Sequence, residues 1–451
     1  MKTSFCLFII TALCVFVQNG NAQPPAYNPD QLLSVAELRA DFTLLRNSYQ
    51  QKHPNLYLYT PKQRLDAIFD SLYQHINKPA TAAWFYQNIS FLVSQIKDGH
   101  GYMLPSQKSR DYFNSHEKFL PLDVAWLDGK MYLQKNCSAD TGITAGAEIL
   151  SINGASATEI FYRLMQRQVR DGNNQTYPVW IINNYFREYY SYAFGYPAIY
   201  NITCKTGGII KKLTIAALPK DSIRFYRLSG KPKIEKEKQG ITLKLDDVST
   251  AATLTIKTFD SDDLKDEYSQ NFTTTIQDYF TQIKEHNVQH LVLDLRDNQG
   301  GDPENGITLL SHLLSQPFTM IYEGPVSVGL YKPAQDVYTG KLYILINGGS
   351  FSCTGMVSSC LQQNNCGTFI GQETGGNKYI LSGDADEIIL PNTKIECQIS
   401  TVPYILRAQY NNDGHGVMPD YTVAYSIEDI IMGKDKEAEK AKELIRKDNK
   451  Y

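Results

Sequence analysis

A chain of 451 residues, 42% hydrophobic and 20% charged, can bury a sizeable core, and its length suggests about two to three domains. That composition excludes disorder. A formal net charge of −3 and the lack of any basic block exclude nucleic acid as a partner. The N-terminus reads MKTSFCLFIITALCVFVQNGNAQ, with Lys2, an apolar run from Phe5 to Val17 and small residues through Ala22. This is the pattern of a secretory signal peptide over residues 1–22, with cleavage expected after Ala22 and a periplasmic or secreted destination. Cys14 follows Leu13, whose bulk disfavours a lipoprotein anchor at that cysteine. No later run approaches about 18 apolar residues, so no membrane span is expected. Six cysteines remain after the leader, without a zinc-type CxxC pair, and no metal site is expected.

Residues 31 to 97 read as a helical layer. Leu38, Phe42, Leu45 and Tyr49 recur at helical spacing, as do Leu65, Phe69 and Leu72, and Phe85, Ile89, Leu92 and Ile96. Pro54, Pro61 and Pro79 punctuate the layer, which ends at Asp98-Gly99-His100. From about Leu120 to Leu218 the texture is β-rich. Asp128-Gly129 between two apolar segments predicts a hairpin. A helix is expected near Ala157 to Arg167, and closing strands around Gly207-Gly208. GAEILSINGASATEIFYRL resembles a PDZ domain, a module that grips extended peptides by strand addition; the stretch from Asp171 to Tyr192 is an insertion relative to that compact form. The charged run KPKIEKEKQG (231–240) is expected to be a solvated linker.

Beyond it, apolar strands at 252–256, 291–295, 342–346 and 368–371 alternate with helices at about 268–286 and 307–314. That order predicts a mainly parallel sheet covered by helices, an α/β fold. The tail from Ile427 is expected to be a charged, solvated helix. In Lys341–Asn364 a buried strand passes through Gly348-Gly349-Ser350-Phe351-Ser352 into a helix. A serine at such a junction can serve either as a helix N-cap or as a nucleophile. A nucleophilic serine needs a base, and of eight histidines only His100 and His415 lie on glycine-flanked turns.

After DGH, the motifs LVLDLRDNQGGD, NGGSFSCTG, GQETGG and DGHGVMPD occur in that order. Together they resemble the C-terminal-processing (tail-specific) serine peptidases, and more closely their tricorn-like branch. The resemblance implies a multi-domain α/β chain. Its parts would be an N-terminal helical domain over 23–114, a PDZ-like domain over 115–220, a crotonase-like ββα peptidase core over 221–430 and a charged C-terminal helix over 431–451. It further implies that Ser352 is the nucleophile, His100 the base and Asp413 the acid, one methylene shorter than the usual glutamate. Glu373 stands as the alternative acid. Where the lysine-dependent branch carries its base, this chain has Asn377, with Lys378 beside it, and Gly99 replaces a serine that precedes the histidine in tricorn. The oxyanion hole would be formed by Gly300 or Gly301 with Cys353. The implied activity is hydrolysis of protein or peptide substrates by an exported endopeptidase, through an acyl-enzyme and without a cofactor. Two rival readings use the same core: an inactive peptide-binding protein working through its PDZ-like domain, and a small-molecule carrier.

Overall fold

Apolar segments too short for helices pair side by side in the computed structural model, which describes residues 27–229, 239–246, 250–409 and 411–449. The signal-peptide reading of 1–22 and residues 231–238 of the charged run lie outside these. The largest feature is a six-stranded sheet in the order Tyr421–Thr422, Thr368–Gly371, Lys341–Ile346, His290–Asp294, Ala251–Ile256 and Ile241–Leu245. All neighbours are parallel except the last pair. Strand Lys341–Ile346 is buried at every residue but Lys341, as a central parallel strand must be when both faces are covered.

Helices Phe272–Glu285, Pro303–Leu313 and Cys353–Gln363 join that core through residues such as Ile276, Leu309, Leu310, Met356 and Val357. The helix expected near 268–286 is Phe272–Glu285, and a further helix, Ser261–Tyr268, precedes it. The chain turns at Ser269 (φ +54°) and restarts on the Asn271 cap. The tail also departs from expectation. Helix Lys436–Asp448 is charged on its outer side, but Ala441 and Ile445 pack on Val292, Tyr343, Leu345 and Ile370. It covers the sheet and is not merely a solvated face.

A second, antiparallel sheet follows the helical layer in sequence. Leu122–Leu127 and Lys130–Asn136 form the expected hairpin, with Asp128 and Gly129 both at positive φ as a tight two-residue turn requires. Glu148–Ile152, Ile199–Thr206 and Ile209–Ala216 continue the sheet. Two helices lie on it, Ala157–Met165 and Thr176–Phe194. The second helix is the insertion seen in the sequence, and its first turns leave this sheet to reach the candidate site.

The helical layer consists of Val35–Lys52, Lys62–His75 and Ala82–Ile96. It does not close its core alone. Leu390, Ile395, Cys397 and Ile399, from strands Ile380–Ile389 and Glu396–Ile405 and their connecting turn, complete it. These two antiparallel strands were not legible in the sequence, because Gly383, Asp384 and Pro403 interrupt their alternation. Buried Asp41 anchors the layer to the turn. Its carboxylate accepts hydrogen bonds from the N–H and Nδ2 of Asn392 and from the N–H and Oγ1 of Thr393. Asp41→Ala should therefore cost about 3 kcal/mol, since buried donors lose a charged acceptor. Urea unfolding followed by circular dichroism measures this; a loss below about 0.5 kcal/mol would contradict it. All six cysteines among the described residues are free thiols.

Candidate active site

The turn after strand Lys341–Ile346 is built by its own hydrogen bonds. Ser350 Oγ accepts from the Asn347 N–H (3.1 Å) and donates to Leu295 O (2.8 Å). The Phe351 N–H donates to Asn298 O (3.0 Å). Ser352 follows with φ +52° and ψ −123°, a conformation that costs a non-glycine residue on the order of 1–3 kcal/mol. It occupies the N-cap position of helix Cys353–Gln363, yet its hydroxyl makes no capping hydrogen bond. The capping role weighed from sequence is therefore not what this hydroxyl does.

Gly300 sits directly against Ser352. A Cβ placed there would lie 2.7 Å from Ser352 Cβ and 2.8 Å from the Cys353 nitrogen. The Gly300 N–H, however, is already donated to Asn298 Oδ1 at 2.9 Å, because the asparagine side chain folds back to close the turn. That removes Gly300 from the expected oxyanion donors in this conformation. The N–H groups of Gly301 and Cys353 have no acceptor among the described residues. Cys353 is also the first residue of its helix, where backbone N–H groups carry partial positive charge. Its buried thiol donates to Asp302 O, and burial pushes its pKa well up.

His100 comes to the same place from the end of the helical layer. Lys97, in the left-handed conformation (φ +62°), ends helix Ala82–Ile96 and turns the chain inward. The imidazole packs on Phe351, ring centroids 4.5 Å apart. Phe351 also stacks on Tyr177 of the insert helix at 4.2 Å, with the rings 5° from parallel. Both ring nitrogens of His100 are buried and without a hydrogen-bond partner. Burial lowers the imidazole pKa below its ordinary value, opposed by the charges of Asp98 and Asp384.

The expected acid is elsewhere. Asp413 Oδ2 pairs with Lys378 Nζ at 2.9 Å, its Oδ1 accepts the His415 N–H, and the side chain is about half exposed. Burial would raise its pKa, but Lys378 and the His415 N–H hold it below the usual value. No bond joins it to His100. A lysine within reach outcompetes a neutral imidazole for a short carboxylate. The alternative acid, Glu373, is taken up as well. Its Oε1 meets His415 Nδ1 (3.0 Å) and the Gly416 N–H (2.8 Å). His415, the second candidate base, is thereby paired with Glu373. Asn377 is structural: it donates to Tyr59 and Asn412 and accepts from the Tyr379 N–H.

The carboxylates beside His100 are Asp98 and Asp171, neither of which the sequence singled out as acids. One oxygen of each and a ring nitrogen of His100 lie within 4.8 Å of one another. Three such groups can also serve a cation, but every carboxylate oxygen here already accepts a hydrogen bond. Asp98 Oδ2 takes His53 Nε2 (2.9 Å) and Ser400 Oγ, and its Oδ1 takes the backbone N–H of His100 (3.0 Å). Asp171 Oδ1 accepts the Gly99 N–H (2.7 Å) and its Oδ2 the Asn377 N–H (3.1 Å). The one hint of Asp171 in the sequence is that it opens the insertion, in the polar run Asp171-Gly172-Asn173-Asn174 between two helices.

Residues 250–423 match the profile of Peptidase family S41. Carboxyl-terminal-processing peptidase 3, chloroplastic, of Arabidopsis thaliana is 24% identical over 157 residues, which is 34% of this chain and 29% of that protein. The match thus spans under a third of the curated relative's length. Mature CPAF superimposes with a TM-score of 0.64 at 14% identity, covering 91% of this chain and 96% of that one. A structure from Parabacteroides merdae gives 0.50 at 16% identity, covering 91% and 96%. At such identities the structural likeness bears on the fold alone. No described helix is long and apolar enough to cross a membrane.

Proposed function

We propose that the chain, whose residues 250–423 match the profile of Peptidase family S41, is an exported serine endopeptidase of the C-terminal-processing kind with Ser352 as nucleophile and His100 as general base. The observation that carries this reading is Ser352 itself. It is a non-glycine residue at φ +52°, its hydroxyl is free of capping duty, it packs on a glycine, and the adjacent Phe351 packs against a histidine whose buried ring nitrogens have no partner. Strained backbone of this kind is maintained by its surroundings and concentrates at functional sites.

In the reaction His100 takes the Ser352 proton as the hydroxyl attacks a peptide carbonyl, then returns it to the leaving amine. The Cys353 N–H faces the developing oxyanion, with the Gly301 N–H as the second donor offered by the glycine loop. One such donor contributes typically about 2.7–4 kcal/mol to the transition state. The PDZ-like insert positions substrate through the helix that places Tyr177 on Phe351. A fluorophosphonate–rhodamine probe should label the wild-type protein on Ser352, and casein should be hydrolysed by the same preparation. Absence of both would favour a binding or carrier protein instead.

A further inference from the structure

The reading above leaves His100 without the third group that a serine peptidase uses to hold its imidazole, because Asp413 is paired with Lys378. We propose that Asp171, carried on the segment joining the two insert helices, is the positioning carboxylate of His100. The inference rests on the serine-peptidase reading for its catalytic meaning, but its geometry is independent of it.

Asp171 is 2% exposed, far deeper than a loop carboxylate between two helices needs to be. Its two oxygens bind the N–H of Gly99, next to His100, and the N–H of Asn377, next to Gly376. Gly376 in turn lies against the Ser352 nitrogen, 3.5 Å from where its Cβ would be. One carboxylate therefore ties the histidine loop to the loop beside the serine. Each oxygen accepts a single N–H, so each keeps a lone pair. Asp98 is the other carboxylate of the cluster, and its two oxygens already accept three hydrogen bonds, against two at Asp171. Of the two carboxylates, Asp171 thus keeps more acceptor capacity next to the unpartnered imidazole. A ring rotation or one bridging water closes a gap of this size, and catalytic hydrogen bonds commonly tighten only when substrate is bound.

Burial and the neighbouring charge of Asp98 push the Asp171 carboxyl up to about 7, against the two N–H groups that lower it. His100 is lowered instead. The groups facing the pair are Asp98 with His53 behind it, Asp384, and the phenols of Tyr59 and Tyr177. As pH falls, Asp171 gains its proton first and His100 second. Catalysis that needs the Asp171 carboxylate and the neutral imidazole should fall along a one-proton limb near 7 that steepens to two protons below about 6.5.

The test uses the full chain and two independent readouts. In ¹⁵N-histidine-labelled Ser352→Ala protein, Asp171→Asn should shift the His100 imidazole resonances and its titration, whereas Asp413→Asn should leave them in place. In the active protein, Asp171→Asn should lower kcat on fluorescein-casein by roughly 10³–10⁴ while KM changes less than about threefold, and its pH limb should become a single-proton one. If Asp171→Asn proves unfolded by circular dichroism, Asp171→Glu takes its place. It keeps the charge but displaces it by a methylene, and should lose kcat with KM retained. Unchanged His100 resonances on loss of the Asp171 carboxylate, or kcat within about tenfold of wild type, overturns the proposal. If Asp413→Asn produces the larger resonance shift, the proposal is likewise overturned. A wild-type protein that neither labels nor cleaves, yet whose His100 responds to Asp171, would sink the peptidase reading and leave the positioning contact standing.

Discussion

Ser352→Ala should lower kcat on casein by about 10⁶ and abolish fluorophosphonate labelling, and His100→Ala should lower kcat by a similar factor. The double variant should be scarcely worse than either single one. Nucleophile and base act as a unit: without the base the hydroxyl stays protonated, and without the hydroxyl the base has no proton to take. Neither change should disturb the fold. Ser352 Oγ makes no capping bond, and the His100 ring nitrogens make no hydrogen bond at all, so no polar partner is orphaned. Lys378→Ala is the control. Its ammonium is held by Asp413 at 2.9 Å, and a lysine base would have to be depressed by several units from about 10.4 to act near neutrality. Activity within about threefold of wild type is expected for Lys378→Ala. Loss in that variant with His100→Ala still active would move the base to the lysine, and additive losses in the Ser352/His100 double variant would deny that the two act together.

What could be read from the sequence follows from where the information lies along the chain. Strands such as Leu342–Ile346 and Thr368–Gly371 announce themselves because a parallel strand covered on both faces must be apolar throughout. The Asp128-Gly129 hairpin did so because few residues tolerate its turn. Ser352 and His100 were singled out from local pattern plus family resemblance, and the fold brings their segments together through Phe351. The carboxylates beside His100 were not legible in the same way. Which carboxylate faces an imidazole depends on what else competes for it, and nothing near Asp413 in the sequence shows that Lys378, 35 residues earlier, reaches it. Asp171 was hidden for the complementary reason. Its importance arises only when Gly99, 72 residues before it, and Asn377, 206 residues after it, donate to its two oxygens. The strands Ile380–Ile389 and Glu396–Ile405 were missed because they lie against the helical layer with an interrupted alternation, and burial there is decided by tertiary contact rather than by period.

The adjacent glycines 300 and 301 separate catalytic placement from folding, and their alanine variants should fail in different ways. At Gly300 (φ +103°) a methyl would meet Ser352 Cβ at 2.7 Å, the Cys353 nitrogen at 2.8 Å and Phe351 O at 3.0 Å. The parts that must yield are the proposed nucleophile and a proposed oxyanion donor. A displacement of about 1 Å there is enough to cost about 10² in rate, and adding the weakened Cys353 donor brings the expected loss in kcat to about 10²–10³. At Gly301 (φ +131°) the methyl would instead lie 2.0 Å from the Asp260 nitrogen and 2.3 Å from the Phe259 carbonyl carbon. Both are backbone atoms of a segment that holds the glycine loop through the Phe259 N–H to Gly300 O bond (2.7 Å). Backbone cannot rotate away as a side chain can, so Gly301→Ala should lower the unfolding free energy by several kcal/mol, beyond the roughly 1–3 kcal/mol of the φ strain alone. Urea midpoints and casein kinetics on both variants make the comparison. Gly300→Ala, which carries the φ strain and milder contacts, should lose less stability than Gly301→Ala while its fluorophosphonate labelling slows in step with kcat. Full activity in Gly300→Ala would mean that Ser352 does not need the position it holds here, and a stable, active Gly301→Ala would mean that the glycine loop is not clamped by Phe259 and Asp260.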